Sequence, residues 1–192
     1  MANMLVIFGL VTYATKGVSF GAIEPAIPKM IIPKINGFPT IILWAVAAIV
    51  IVWFIWNKTT FGKNLYAVGG NPEAAAVSGI SVFGVTMGAF ILAGILYGFG
   101  SWLECARMVG SGSAAYGQGW EMDAIAACVV GGVSFTGGIG KISGVVVGVL
   151  IFTVLIYSLT ILGIDTNLQF VFEGIIIITA VTLDCLKYVQ KK

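Results

Sequence analysis

No histidine occurs in the 192 residues, and only 9% of them are charged. Without imidazole, a three-histidine zinc site, a serine–histidine–aspartate triad and a histidine general base are excluded. Cysteine is sparse as well: Cys105, Cys128 and Cys185 are odd in number, far apart and free of any CxxC spacing. They read as small apolar packing residues, with neither a disulfide framework nor a metal site. The net charge is only +2 and no basic cluster occurs, so nucleic acid is not a partner. Nothing in the composition calls for a cofactor. The first residues, Met1–Thr15, lack the positively charged start of a signal peptide and read as a helix entered near its beginning.

What the chain has in excess is apolar length. Hydrophobic residues make up 59% of it, against about half in a soluble domain. Charge-free runs extend over Ile35–Asn57 (23 residues), Ala74–Leu103 (30) and Ile142–Ile164 (23). About 20 apolar residues suffice for a helix to cross the hydrocarbon core of a bilayer. The expected fold is therefore an all-α polytopic membrane protein, embedded in the lipid bilayer as one transmembrane domain over residues 1–192. Six apolar segments are expected: about Met4–Thr15, Thr40–Trp56, Val82–Leu103, the short half-spanning Glu121–Val130, Ile142–Leu162 and Asn167–Leu186. Between the first two segments lies a connector, Lys16–Pro39, whose prolines Pro25, Pro28, Pro33 and Pro39 forbid a continuous helix.

Basic residues orient the segments. With the last segment ending in the cytoplasm, Lys58, Lys63, Lys141, Lys187, Lys191 and Lys192 lie inside, six of the ten Lys and Arg. Lys16, Lys29, Lys34 and Arg107 then lie outside. Steps of four between glycines (Gly84/Gly88, Gly94/Gly98 and Gly140/Gly144/Gly148) place small residues on one helical face, the pattern that lets helices approach closely in lipid.

Phe61–Ile80, FGKNLYAVGGNPEAAAVSGI, is the most informative cytoplasmic stretch. Asn71 suits an N-cap, Pro72 the first helical position, Glu73 the positive end of the helix dipole and Gly79 the C′ position. A helix of about two turns is expected there, with the small apolar body Ala74-Ala75-Ala76-Val77. It reads either as a turn lying on the membrane surface or as a docking helix seated in a partner's groove.

The Gly-rich stretch Gly131–Ser143 is no Walker A loop: Phe135 stands where the first glycine belongs and Ile142 where Ser or Thr belongs. Gly110–Ala115 matches GxGxxA but has no βαβ context. Both read as loop glycines. Glu121 and Asp123 open the fourth segment, either as favourable charges at a helix N-terminus or beside a water-filled path. Glu173 lies about two turns inside the last segment with no evident partner; an acid within a membrane segment is a functional candidate. Glu104 and Arg107, spaced i, i+3, pair at the outer end of the third segment.

Three stretches carry a resemblance: WNKTTFGKNLYAVGGNPEAAAVSGI (Trp56–Ile80), EMDAIAACVVGGVSFTGGIGKISGVVVGVLIFTV (Glu121–Val154) and LDCLKYVQKK (Leu183–Lys192). From about Thr40 onward the chain resembles bacterial ABC-importer permeases for monosaccharides, nearest the galactose/methyl-galactoside type, with ribose and xylose permeases next. The resemblance implies a non-catalytic permease subunit of the bacterial cytoplasmic membrane, acting as a homodimer or pseudodimer. It also implies an extracytoplasmic sugar-binding protein that delivers galactose or a methyl galactoside and an ATP-binding subunit that supplies energy. Gly70, Asn71, Glu73, Ala74, Ala75, Ser78 and Gly79 fall on the family's coupling segment, here about residues 58–81 with Pro72 among them. Glu121, Asp123, Ala124, Gly131, Gly132, Gly137 and Gly138 fall on its second signature; of these, Glu121, Asp123, Gly131 and Gly132 are the candidates for the translocation path. Trp120-Glu121-Met122-Asp123 stands where relatives have Tyr-Glu-Leu-Asp, and many relatives carry a basic residue where Glu173 stands. Members are longer, so residue 1 corresponds to the middle of a typical permease and the chain is expected to be a piece of one.

The mechanism so implied is alternating access driven by movement of the Asn71–Gly79 helix. It makes Glu73→Pro and Ala75→Arg the expected uncoupling substitutions. The alternatives are an ion-driven secondary transporter or channel, and an ABC permease for ribose, xylose or branched-chain amino acids.

Overall fold

A computed structural model describes residues 2–18, 28, 33–35, 38–108, 112–113 and 116–189. Helix α1 covers Ala2–Thr15, and a two-residue antiparallel ladder, β1 (Lys34–Ile35) with β2 (Phe38–Pro39), closes the Pro-rich connector, most of which lies outside the described residues. Then follow α2 (Ile41–Lys58), α3 (Thr60–Gly70), α4 (Pro72–Val77), α5 (Val82–Arg107), α6 (Trp120–Val130), α7 (Ile142–Ile161) and α8 (Thr166–Val189). The all-helical expectation holds apart from that ladder. The GxGxxA match lies mostly outside the described residues.

Among the described residues three helices, Ile41–Lys58, Val82–Arg107 and Ile142–Ile161, are long and apolar enough to cross a membrane, with shorter apolar helices at Met4–Thr15 and Thr166–Thr182. The chain is a polytopic membrane protein. An 18-residue helix is about 27 Å long at 1.5 Å per residue, close to the thickness of the hydrocarbon core. No residue of α2 is buried within the chain. In lipid this carries no hydrophobic penalty, because acyl tails are as apolar as the side chains that face them.

The chain divides into two compact units, Met1–Ala48 with Ala89–Gln118, and Ile49–Gly88 with Gly119–Lys192. In the first, Trp44 meets Phe99 and Trp102 edge-on, with ring centroids 6.1 and 6.2 Å apart, while Leu103 and Ala106 form a small buried cluster beside Phe99. The expected pair at the end of α5 is present: Arg107 Nε donates to Glu104 Oε2 at 2.9 Å. The Tyr116 hydroxyl also donates to Glu104, and holding that proton raises the titration of the phenol above its ordinary value.

The second unit holds the denser core. Ala126 and Ala127 of α6 pack on Phe152 of α7, flanked by Ile156, Ile176 and Ile177. The approach of α6 to α7 is backbone on backbone: a Cβ added at Gly148 would stand 2.6 Å from Gly131 N, and one at Gly131 would stand 2.5 Å from Gly144 O. The Gly144/Gly148 step therefore packs as expected. At Gly94 and Gly98 nothing among the described residues outside their own helix lies within 4 Å of an added Cβ. Gln169, buried at the start of α8, donates to Ile164 O at 3.0 Å and fastens the α7–α8 turn.

Candidate functional site

The site is built on the link between α2 and α4, all within the second unit. Thr59 both closes α2 and opens α3: its hydroxyl donates to Ile55 O (2.6 Å) and accepts from the Gly62 N–H (3.3 Å). Helix α3 itself was not anticipated. Three of its eleven residues are glycine, which lowers helix propensity, and the only local sign of it is Thr59 at the N-cap.

Asn71 joins α3 to α4. Its N–H donates to Ala67 O (3.1 Å), and its side-chain Oδ1 accepts from the Ala74 N–H (3.0 Å), satisfying one of the free donors of the next helix. Pro72 occupies the first turn of α4 without an N–H to strand, and Glu73 lies in that turn near the positive end of the dipole. At the other end Gly79 N–H donates to Ala76 O and Ile80 N–H to Ala75 O, both at 3.0 Å. With Gly79 at φ 81° this is a Schellman ending, the glycine supplying the left-handed conformation. The short helix expected from Asn71 to Gly79 is thus present and capped at both ends. Asn71→Ala is expected to cost it about 1 kcal/mol, read as faster amide exchange over residues 73–77 than in the unaltered chain.

Of the residues assigned to coupling, Gly70, Asn71, Pro72, Glu73, Ala74, Ser78 and Gly79 are exposed, as are Ala76 and Val77, with Val77 91% exposed. Ala75 is buried, at 4%. It faces the chain itself, so Ala75→Arg would disrupt packing before it disturbed any partner. The face open to a partner is Glu73, Ala74, Ala76 and Val77, which the sequence did not separate from Ala75 because the three alanines look alike.

Directly before Asn71, the end of α3 lies on the Gly-rich stretch. A Cβ at Gly69 would stand 2.7 Å from Gly138 N, and one at Gly138 would stand 2.6 Å from Gly70 Cα. The Tyr66 hydroxyl donates to Gly140 O at 2.7 Å. Beneath this contact is a cavity of about 350 Å³ lined by Trp56, Leu65, Tyr66, Val133, Gly138 and Ile142 among others. Its wall is almost wholly apolar, unlike a pocket for a polyhydroxylated ligand.

The second candidate group sits at the start of α6. Glu121 and Asp123 are in its first turn, after Gly119, and both are half-buried. The Asp123 carboxyl faces that of Glu173, which is only 5% exposed on α8. Glu173 therefore has the neighbour that sequence spacing did not reveal. Gly131 sits in the α6–α7 contact, and Gly132 turns the chain out of α6 at φ 82°.

A family model described as "Branched-chain amino acid transport system / permease component" matches residues 1–181. The galactose/methyl galactoside import permease protein of Treponema pallidum is 55% identical over 201 residues, covering 100% of this chain and 38% of that protein. The galactose/methyl galactoside import permease protein of Escherichia coli is 53% identical over 152 residues, covering 79% of this chain and 45% of its own length. The L-arabinose transport system permease protein of Escherichia coli is 36% identical over 191 residues, covering 100% of this chain and 57% of its own length. The chain thus spans 38% to 57% of the length of these relatives. No solved structure matches it.

Proposed function

The chain belongs to this permease family, and on that premise we propose that it acts in an ABC importer as the membrane subunit that passes a monosaccharide, galactose or a methyl galactoside, across the bacterial cytoplasmic membrane. The observation that carries the reading is the 55% identity, over the whole chain, to a galactose/methyl galactoside import permease. The family description names branched-chain amino acids, but the names of the relatives given above are sugar permeases. The chain does no covalent chemistry. A separate ATP-binding subunit docks on the exposed face of α4, an extracytoplasmic binding protein delivers the sugar, and a second copy of the chain completes the pathway. The domain is single, and the first turn of α6 with Glu121 and Asp123, and the Gly131-Gly132 turn after it, flank the path.

The C-terminus lies in the cytoplasm in this reading. The contact of Tyr66 with Gly140 supports that orientation, since it brings the neighbourhoods of Lys63 and Lys141 to one side of the membrane, as the distribution of basic residues requires.

The Asp123–Glu173 pair is the feature that favours the ion-driven alternative, because acids buried in membrane helices serve ion pathways. Uptake into proteoliposomes holding the assembled transporter separates the readings. Galactose accumulation that needs ATP and ignores an imposed proton or sodium gradient is expected, with leucine and ribose failing to compete. Accumulation driven by the ion gradient alone would overturn the proposal.

A further inference from the structure

We propose that Tyr66 and the Gly137-Gly138 turn are positioning residues that transmit displacement of α4 to the α6–α7 pair; the inference rests on the permease reading above. Asn71 is a rigid joint, since its backbone is bonded to the end of α3 and its side chain to the start of α4. Movement of α4 is therefore delivered to the end of α3, where Gly69 has the backbone of Gly137 and Gly138, not a flexible side chain, against it and Gly138 in turn faces the backbone of Gly70.

The surface they press on is also rigid. Ser134 N–H donates to Ile139 O (3.0 Å), Gly137 N–H to Ser134 O (3.2 Å), and the Ser134 and Thr136 hydroxyls are 2.8 Å apart. Ser134 is buried. Gly137 and Gly138 hold φ values of 90° and 70°, where a side chain is strained, and Gly138 leaves no room for one against Gly70. The Tyr66–Gly140 bond is a second tether, one residue before Lys141, the N-cap of α7. At the far end of the same loop, Val133 N–H is bonded to Cys128 O, so the loop is tied to the last turn of α6 as well. A push on Gly138 thus reaches both helices together, and these are locked to each other through Gly131, Gly144 and Gly148. Asp123 rides on the same α6. Altering one contact in such a chain of packed and hydrogen-bonded groups changes the coupling it carries, even where no ligand touches it.

The test uses the assembled transporter with its ATP-binding subunit, measuring galactose uptake and ATP hydrolysis on the same preparation. Tyr66→Phe keeps the ring and removes the hydroxyl, while Gly138→Ala puts a methyl group against Gly70. Uptake per ATP hydrolysed is expected to fall about 3- to 30-fold in both, with complex recovery and basal hydrolysis unchanged in Tyr66→Phe. Gly94→Ala, in open space, should keep the unaltered ratio. Wild-type ratios in Tyr66→Phe and Gly138→Ala would overturn the inference, as would a Tyr66→Phe loss shared equally by recovery and hydrolysis. If Gly138→Ala is not recovered, Tyr66→Phe alone decides. Absence of ATP-driven uptake in the unaltered transporter would instead strike the permease reading itself.

Discussion

Val77→Asp is expected to cut ATP-driven uptake about 30-fold or more, the factor that corresponds to losing a 2 kcal/mol hot spot at an interface. Val77 is 91% exposed at the end of α4. An apolar side chain held almost wholly clear of its own fold contributes little to folding, so the substitution should change stability by less than about 0.5 kcal/mol. Its effect would fall on whatever covers α4 in the assembled transporter, where an uncompensated carboxylate is costly to bury. The measurement is uptake in cells or proteoliposomes, with membrane-inserted protein quantified in parallel. Normal insertion with lost uptake and lost co-purification of the ATP-binding subunit is the expected result. Ala75→Arg serves a different purpose: because Ala75 is buried, that variant should lower the amount of folded protein as well.

The second large effect is structural. Gly148→Leu is expected to lower the thermal midpoint of the detergent-solubilised protein by about 6–12 °C, as overpacking by about 3 kcal/mol would in a chain of this size. The new Cβ would stand 2.6 Å from Gly131 N and 2.7 Å from Gly131 Cα, and backbone cannot swing aside as a side-chain tip can. Gly94→Leu is the matched comparison, in a spanning helix but with nothing within 4 Å. It should leave the midpoint within about 2 °C, the shift of a surface substitution worth 0.5 kcal/mol. Equal losses in the two variants would mean that the α6–α7 contact is no tighter than an ordinary lipid-facing surface.

The helices were legible because their signal is local. Charge-free runs between Lys34 and Lys58, and between Lys141 and Asp165, bound α2 and α7 within a few residues. The caps of α4 are likewise written in Asn71, Pro72 and Gly79, each needed for a backbone reason at its own position. What stayed hidden is nonlocal. Nothing near Gly69 says that it will meet Gly138, nor near Asp123 that Glu173 will face it. Glycine-rich stretches read as loops by default, and the Gly131–Gly140 segment is indeed non-helical, but its role as a hydrogen-bonded wedge against α3 comes only from the folded arrangement. The same holds for the four-residue glycine steps: among the described residues Gly144 and Gly148 meet backbone of α6 and Gly94 and Gly98 meet nothing, although the spacing is identical.

The most direct test of the account is photocrosslinking in the assembled transporter from a benzophenone attached to a single introduced cysteine, with Cys105, Cys128 and Cys185 replaced by serine. Val77→Cys on α4 is compared with Leu162→Cys just beyond α7, which is 74% exposed and belongs to the opposite side of the membrane in the orientation proposed above. The account requires a crosslink from position 77 to the ATP-binding subunit and none from position 162. A crosslink from 162 with none from 77 would contradict it.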